Sequence, residues 1–128
     1  MNSNNISPSL EDYLEVILEL NLKDNAIRVT DLAQKLQVAK SSVNQAVKKL
    51  VEMGLLKHEH YGPIELTEHG LVAAEKITHR HQLLKRFFIE ILGVDSKTAE
   101  EDACHIEHYI SSVTMKRLLV YLKKTLGS

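Results

Sequence analysis

Tryptophan is absent from this chain of 128 residues, proline occurs twice, glycine five times and cysteine once. A single cysteine excludes an internal disulfide and suits a reducing compartment, so the expected localisation is cytoplasmic. Scarce glycine and proline, with Leu, Ile, Val, Ala, Glu and Lys dominant, favour helix. No apolar run approaches the ~20 residues of a membrane span, so no membrane partner is expected. The first nine residues are polar and lack a basic-then-apolar signal pattern. No repeat or low-complexity segment occurs.

What is present describes a globular chain, 44% hydrophobic and 26% charged. Its length accommodates one ordinary domain or two small ones sharing a core. The net charge of −1 says nothing by itself about nucleic acid, but its distribution does. Residues 1–27 carry five acids and one lysine, residues 28–60 carry six basic side chains and three acids, and the remainder balances. The basic patch is therefore the middle third of the chain.

Hydrophobic spacing gives the order of elements. Ser7-Pro8-Ser9 is a helix start, and apolar positions at Leu10, Leu14, Ile17 and Leu18 predict a helix to Leu22, stopped by Lys23-Asp24-Asn25. Arg28-Val29 reads as a short strand or turn. Thr30 or Asp31 caps a second helix to Leu36. A third opens at Lys40 or Ser41 and runs to Met53, with Val43, Ala46, Val47 and Leu50 as its apolar stripe and Gly54 as its stop. Two short alternating runs, Leu55 to His60 and Ile64 to Leu66, flank Tyr61-Gly62-Pro63 and predict a hairpin. Thr67 caps a long helix to Leu92, Gly93 stops it, and two further helices follow, Ser96 to Ile110 and Val113 to Leu126.

Three helices followed at once by a two-stranded wing predict a mainly α fold, a winged helix-turn-helix DNA-binding domain and then an α-helical dimerisation domain. The expected domains are residues 1–70 and 71–128. The later helices look too few for a core of their own, so Leu118, Leu119, Leu122 and Leu126, with Phe87 and Phe88, are expected to form an exposed homodimer surface. The third helix is the reading element, because the second helix of such a motif enters the major groove N-terminus first. Ser41 and Ser42 with the first backbone amides suit phosphate, Asn44 and Gln45 suit adenine edges, and Lys40, Lys48 and Lys49 supply phosphate charge. Arg28 and Thr30 reach the DNA backbone from the start of the preceding helix.

A second constellation suits a metal. Positions i, i+3 and i+4 share a helix face, so Cys104, Glu107 and His108 lie together, as do Asp12 and Glu15. Thiolate, carboxylate and imidazole are the transition-metal ligands among side chains, and His81 is a further one on the long helix. Each has a plainer role: Asp12 as a capping residue after Ser9, Glu15 and His81 as surface, Cys104 as a small buried residue. Six ligand-type residues on three helices are harder to dismiss jointly.

Over essentially its whole length the chain resembles the DtxR/MntR family of metal-dependent transcriptional repressors. Leu10-Glu11-Asp12-Tyr13-Leu14-Glu15 resembles that family's first helix, Ser41-Ser42-Val43-Asn44-Gln45 its recognition helix, and His79-Arg80-His81-Gln82-Leu83-Leu84 its linking helix. Asp102-Ala103-Cys104-His105-Ile106-Glu107-His108 resembles its most specific motif. The resemblance implies metal ligation by Asp12, Glu15, His81, Cys104, Glu107 and His108, with Glu100 a further candidate. Asp12 and Glu15 follow the manganese-responsive branch and Cys104 the iron-responsive one. Lys85 stands where iron-type members carry an acidic ancillary ligand, and Glu100 where they carry histidine. The SH3-like third domain of larger members is missing, so a compact two-domain version or a truncated chain is expected. Mixed O, N and S donors suit Fe(II) or Mn(II), with Zn(II) and Co(II) also compatible.

The expected function is a metal-activated repressor that binds palindromic operator DNA as a homodimer and controls metal-uptake genes. In the expected mechanism, metal fixes the two reading heads about 34 Å apart, and its removal lets them wander. The alternative is a winged-helix regulator sensing an organic ligand, or redox state through Cys104. Cys-x-x-Glu-His is one substitution from a zinc-peptidase signature, but no other feature supports an enzyme.

Overall fold

The computed structural model describes residues 6–23, 26–59 and 62–127. Asp24 and Asn25 of the expected helix stop, His60 and Tyr61 of the expected hairpin, and Ser128 lie outside these residues. The fold is mainly α with a small wing. The chain divides into two compact units, Met1–Lys76 and Ile77–Ser128.

The first unit begins with α1, Pro8–Asn21. Ser7 caps it, accepting from the Leu10 amide at 3.2 Å, with Pro8 pre-set at the first helical position. Asp12 is therefore an interior residue of α1 rather than a partner in a Ser9 cap. The next helix, α2, is Val29–Leu36 and starts earlier than Thr30 or Asp31. Arg28 stands at its cap position, and the Arg28 amide donates to the Asp31 carboxylate at 2.8 Å. The short extended contact expected at Arg28-Val29 falls on Ile27 instead, whose carbonyl accepts from the Ile64 amide at 2.8 Å.

Helix α3, Lys40–Glu52, buries the apolar stripe read from its spacing, with Val43 and Leu50 fully buried. Burying side chains of that size contributes about 1.5–3 kcal/mol each, so the stripe fixes how α3 is rotated. Gly54, at φ +78, ends it. The wing is β1, Leu56–His58, antiparallel to β2, Ile64–Leu66, with Leu56 opposite Leu66 and His58 opposite Ile64. Thr67 then joins wing to helix, accepting from the Gly70 amide at 3.0 Å and donating to the Gly54 carbonyl at 2.7 Å.

Helix α4, Glu68–Arg86, begins in the first unit and ends in the second. Its continuation Phe87–Ile91 widens into a π turn, where the Leu92 amide donates five residues back to the Phe87 carbonyl at 3.2 Å. Helix α5, Ser96–Ile106, is capped by Asp95 and stops four residues short of the expected Ile110. Helix α6, Ser112–Leu126, is capped by Ser111 and ended by Gly127 at φ +81.

The second unit has a core of its own, contrary to expectation. Leu83, Leu84, Ala103, Met115 and Leu122 form it, and Phe87, Phe88, Leu118, Leu119 and Leu126 pack against it. Of the stripe expected to lie open, Leu122 is buried, while Leu118, Leu119, Leu126, Phe87 and Phe88 are only partly covered. Three helices at i, i+3, i+4 spacing can close on one another, which periodicity alone does not reveal. The exposed apolar side chains are others, including Leu92, Tyr109, Val113 and Val120. Among the described residues, no helix is long and apolar enough to cross a membrane.

Gly70 tests the wing–helix junction. A Cβ there would sit 1.9 Å from the Leu55 carbonyl oxygen and 3.2 Å from Leu66. Alanine normally favours a helix over glycine by about 1 kcal/mol. Here Gly70→Ala is expected to destabilise by about 1–3 kcal/mol, as overpacking does. Urea unfolding measures this, and a variant as stable as wild type contradicts the docking.

Candidate metal centre and nucleic-acid face

In the first unit, Asp12 and Glu15 stand one turn apart on α1, opposite the buried Tyr13, Leu14 and Ile17. Both are half-buried, and their carboxylates offer oxygens within 4.8 Å of each other. That pair alone is common in proteins, and its chemistry is that of a hard-cation or Mn(II)-type donor set.

In the second unit, Glu107 is the C-cap of α5 and is fully buried. Its Oε1 accepts from His81 Nδ1 at 2.7 Å. Its Oε2, also buried, accepts no hydrogen bond among the described residues. His108 Nε2 lies 3.6 Å from that oxygen, too far for a hydrogen bond. A buried carboxylate oxygen left in this way is costly unless a cation answers it. Two donors each about 2.1 Å from one ion are about 3.0–3.4 Å apart, so the Glu107–His108 pair fits a divalent metal with little adjustment.

His81 and Lys85 stand four residues apart on α4, hence on one face. His81 Nε2 is 3.0 Å from Glu100 Oε2, and Lys85 Nζ is 3.1 Å from Glu100 Oε1. The hydrogen bond to Glu107 raises the His81 pKa to about 9; burial opposes this, and Glu100 adds to it. The same His81 contact holds the Glu100 carboxyl below its usual range, against burial and with help from Lys85. In the metal-free state His81 therefore donates from both ring nitrogens.

Not every candidate sits in the same environment. Cys104 is exposed, while Glu107, three residues on, has no accessible surface. Within this unit Glu107 has His81 on one oxygen at 2.7 Å and His108 near the other at 3.6 Å. The Lys85–Glu100 contact was not anticipated, although the His81–Lys85 spacing of one turn was a usable signal.

The nucleic-acid candidates share one property. Lys40, Ser41, Ser42, Asn44, Gln45, Lys48 and Lys49 are all exposed on α3, the side opposite its buried stripe, and Arg28 and Thr30 are exposed at the start of α2. Ala39 at the cap of α3 makes no side-chain cap hydrogen bond, unlike Ser7, Asp95 and Ser111 on their helices. The first amides of α3 are thus left without a local side-chain acceptor, as an anion-binding terminus requires.

Comparison with known proteins agrees with both halves. Residues 5–64 match the family model described as the iron dependent repressor N-terminal DNA binding domain, and residues 67–125 its metal binding and dimerisation domain. The chain is 42% identical over 121 residues to an HTH-type transcriptional regulator of Methanocaldococcus jannaschii, covering 93% of this chain and 96% of that protein. It is 38% identical over 112 residues to the regulator MntR of Shouchella clausii, covering 88% of this chain and 78% of that one. The solved structure of the manganese regulator SloR is similar at TM-score 0.79 and 31% identity, covering 89% of this chain. This chain spans about half of that structure, 53% of its length.

The His81 contacts carry a pH consequence for chelator-treated protein. A pKa raised from 6.5 to about 9 adds stability that is fully present below about pH 6.5 and is lost as pH rises through about 9. In NMR titrations the His81 ring is expected to stay doubly protonated at about pH 8, and Glu107→Gln is expected to lower its midpoint. A wild-type midpoint near 6.5 contradicts the arrangement.

Proposed function

The chain belongs to the DtxR/MntR family of metal-dependent transcriptional repressors, and from that premise we propose that it is a metal-activated repressor that binds palindromic operator DNA as a homodimer and controls metal-uptake genes. The observation that carries the metal half is Glu107, a fully buried carboxylate with one oxygen left without a hydrogen bond beside His108. The exposed basic and amide-bearing face of α3 supports the DNA half.

The proposed ligands are Asp12 and Glu15 of the first unit and His81, Glu107 and His108 of the second. Cys104 is the remaining candidate, and its exposure makes it the residue to test first. The bound cation would supply charge neutralisation and a fixed arrangement of its donors, Fe(II) or Mn(II) before Zn(II) or Co(II). Every other part belongs to the chain's own residues. Asp12 and Glu15 are ordered by α1, Glu107 by the end of α5, and the α3 amides and lysines engage phosphate while Asn44 and Gln45 address base edges. Ligands drawn from both units would couple metal occupancy to DNA affinity, and linkage requires DNA to tighten metal by the same factor.

Operator sites selected in vitro with Mn(II)-loaded protein give the probe. At fixed salt, Mn(II) or Fe(II) is expected to tighten operator binding by about 5–150-fold, with a chelator reversing it. Asp12→Ala and His108→Ala are expected to lose that response while keeping weak metal-independent binding; Cys104→Ala loses it only if the thiol is a ligand. Chelator-insensitive binding that responds to oxidation through Cys104 would replace this reading with the redox one. On the DNA face, Gln45→Ala is expected to cost about 1–3 kcal/mol of discrimination at one base pair, whereas Lys48→Ala weakens all sequences alike. Uniform weakening by Gln45→Ala would remove α3 from direct readout.

A further inference from the structure

His81 spans two turns of α5. Its two ring nitrogens reach carboxylates seven residues apart, Glu100 in the first half of the helix and Glu107 at its end. The two acids are not equivalent. Glu107 is fully buried and has an oxygen without a hydrogen bond; Glu100 is half-exposed and has both oxygens engaged, one by His81 and one by Lys85. An ammonium 3.1 Å from Glu100 Oε1 repels a second cation from that carboxylate.

We infer that Glu100, held in turn by Lys85, is not a metal ligand but the positioning carboxylate of His81, holding the ring by Nε2 with Nδ1 turned to Glu107. The inference rests on the reading of His81, Glu107 and His108 as metal ligands. The physical logic is that of an outer carboxylate on an imidazole. A hydrogen bond from one ring nitrogen decides which nitrogen is available on the other side, and orients the ring before any ion arrives. Lys85 plays a lesser part. Its contact with Glu100 is solvent-accessible and screened by salt, so it limits the rotamers of Glu100 rather than adding much attraction.

The test uses the full chain, with Mn(II) affinity and stoichiometry measured by calorimetry at fixed salt. The diamagnetic Zn(II)-loaded form is used for long-range proton–nitrogen NMR of the His81 ring. In wild type, Nε2 is expected to carry a proton held on Glu100. Glu100→Ala is expected to weaken Mn(II) binding about 10–100-fold and to blur that tautomer signature, as loss of an outer-shell partner does. Glu100→Gln, which keeps an acceptor for Nε2–H, should recover much of the affinity. Lys85→Met should cost a few-fold and Lys85→Arg almost nothing, while thermal unfolding of the metal-free Lys85 variants stays near wild type.

Equal losses in Glu100→Gln and Glu100→Ala, with fewer ions bound, would make Glu100 a ligand and overturn the inference. Unchanged Mn(II) affinity in Glu100→Ala would overturn it too, with the metal centre left intact. If wild type itself takes up neither Mn(II) nor Zn(II), the reading of the metal centre falls, and this inference with it.

Discussion

A carboxylate removed from water is the constraint around which the second unit is arranged. Desolvating one costs several kcal/mol even after the surroundings relax. Glu107 bears that cost in full, since it has no accessible surface. His81 answers one of its oxygens at 2.7 Å and leaves the other facing an imidazole at a distance that is not a hydrogen bond. The rest of the unit serves that balance. Helix α5 ends at Ile106, so Glu107 stands at the cap, and α4 presents His81 and Lys85 on one face. The protein thus answers one oxygen of this carboxylate with a hydrogen bond and leaves the other without one.

The first unit solves a different problem with the same means. Its basic third of the chain becomes one exposed face only because Val43, Ala46, Val47 and Leu50 commit the other side of α3 to the core. Rotation of the helix by packing turns the lysines, serines, Asn44 and Gln45 outward together. The wing closes on the same core through Leu56 and Ile64, and Thr67 with Gly70 brings α4 tightly against the Leu55 backbone. The exposed polar face of α3 and its support are thus two sides of one set of apolar contacts.

Much of this was legible beforehand, and the misses are instructive. Helix order, wing, caps and stops followed from spacing and from Gly54, Thr67 and Gly93, because those signals are local. The start of α2 shifted by a residue or two because its cap lies at Arg28 rather than at Thr30 or Asp31. Periodicity marks the Leu118–Leu126 stripe as an apolar face without saying how much of it the chain itself covers. Leu83, Leu84 and the Phe87–Phe88 turn, distant in sequence, cover it in part. The π turn at Phe87–Ile91 has no sequence marker at all; it is a backbone response to packing.

The chain by itself determined the fold class, the family and the kinds of donor available for a metal, since these depend on residue type and short-range spacing. It could name His81, Glu100, Cys104, Glu107 and His108, but not their ranks. Tertiary structure decided those. It buried Glu107 completely, left Cys104 exposed, and gave both nitrogens of His81 to carboxylates two helical turns apart. It also set Lys85 beside Glu100. Burial and pairing are properties of long-range packing, and the charge a side chain carries or answers is fixed only there.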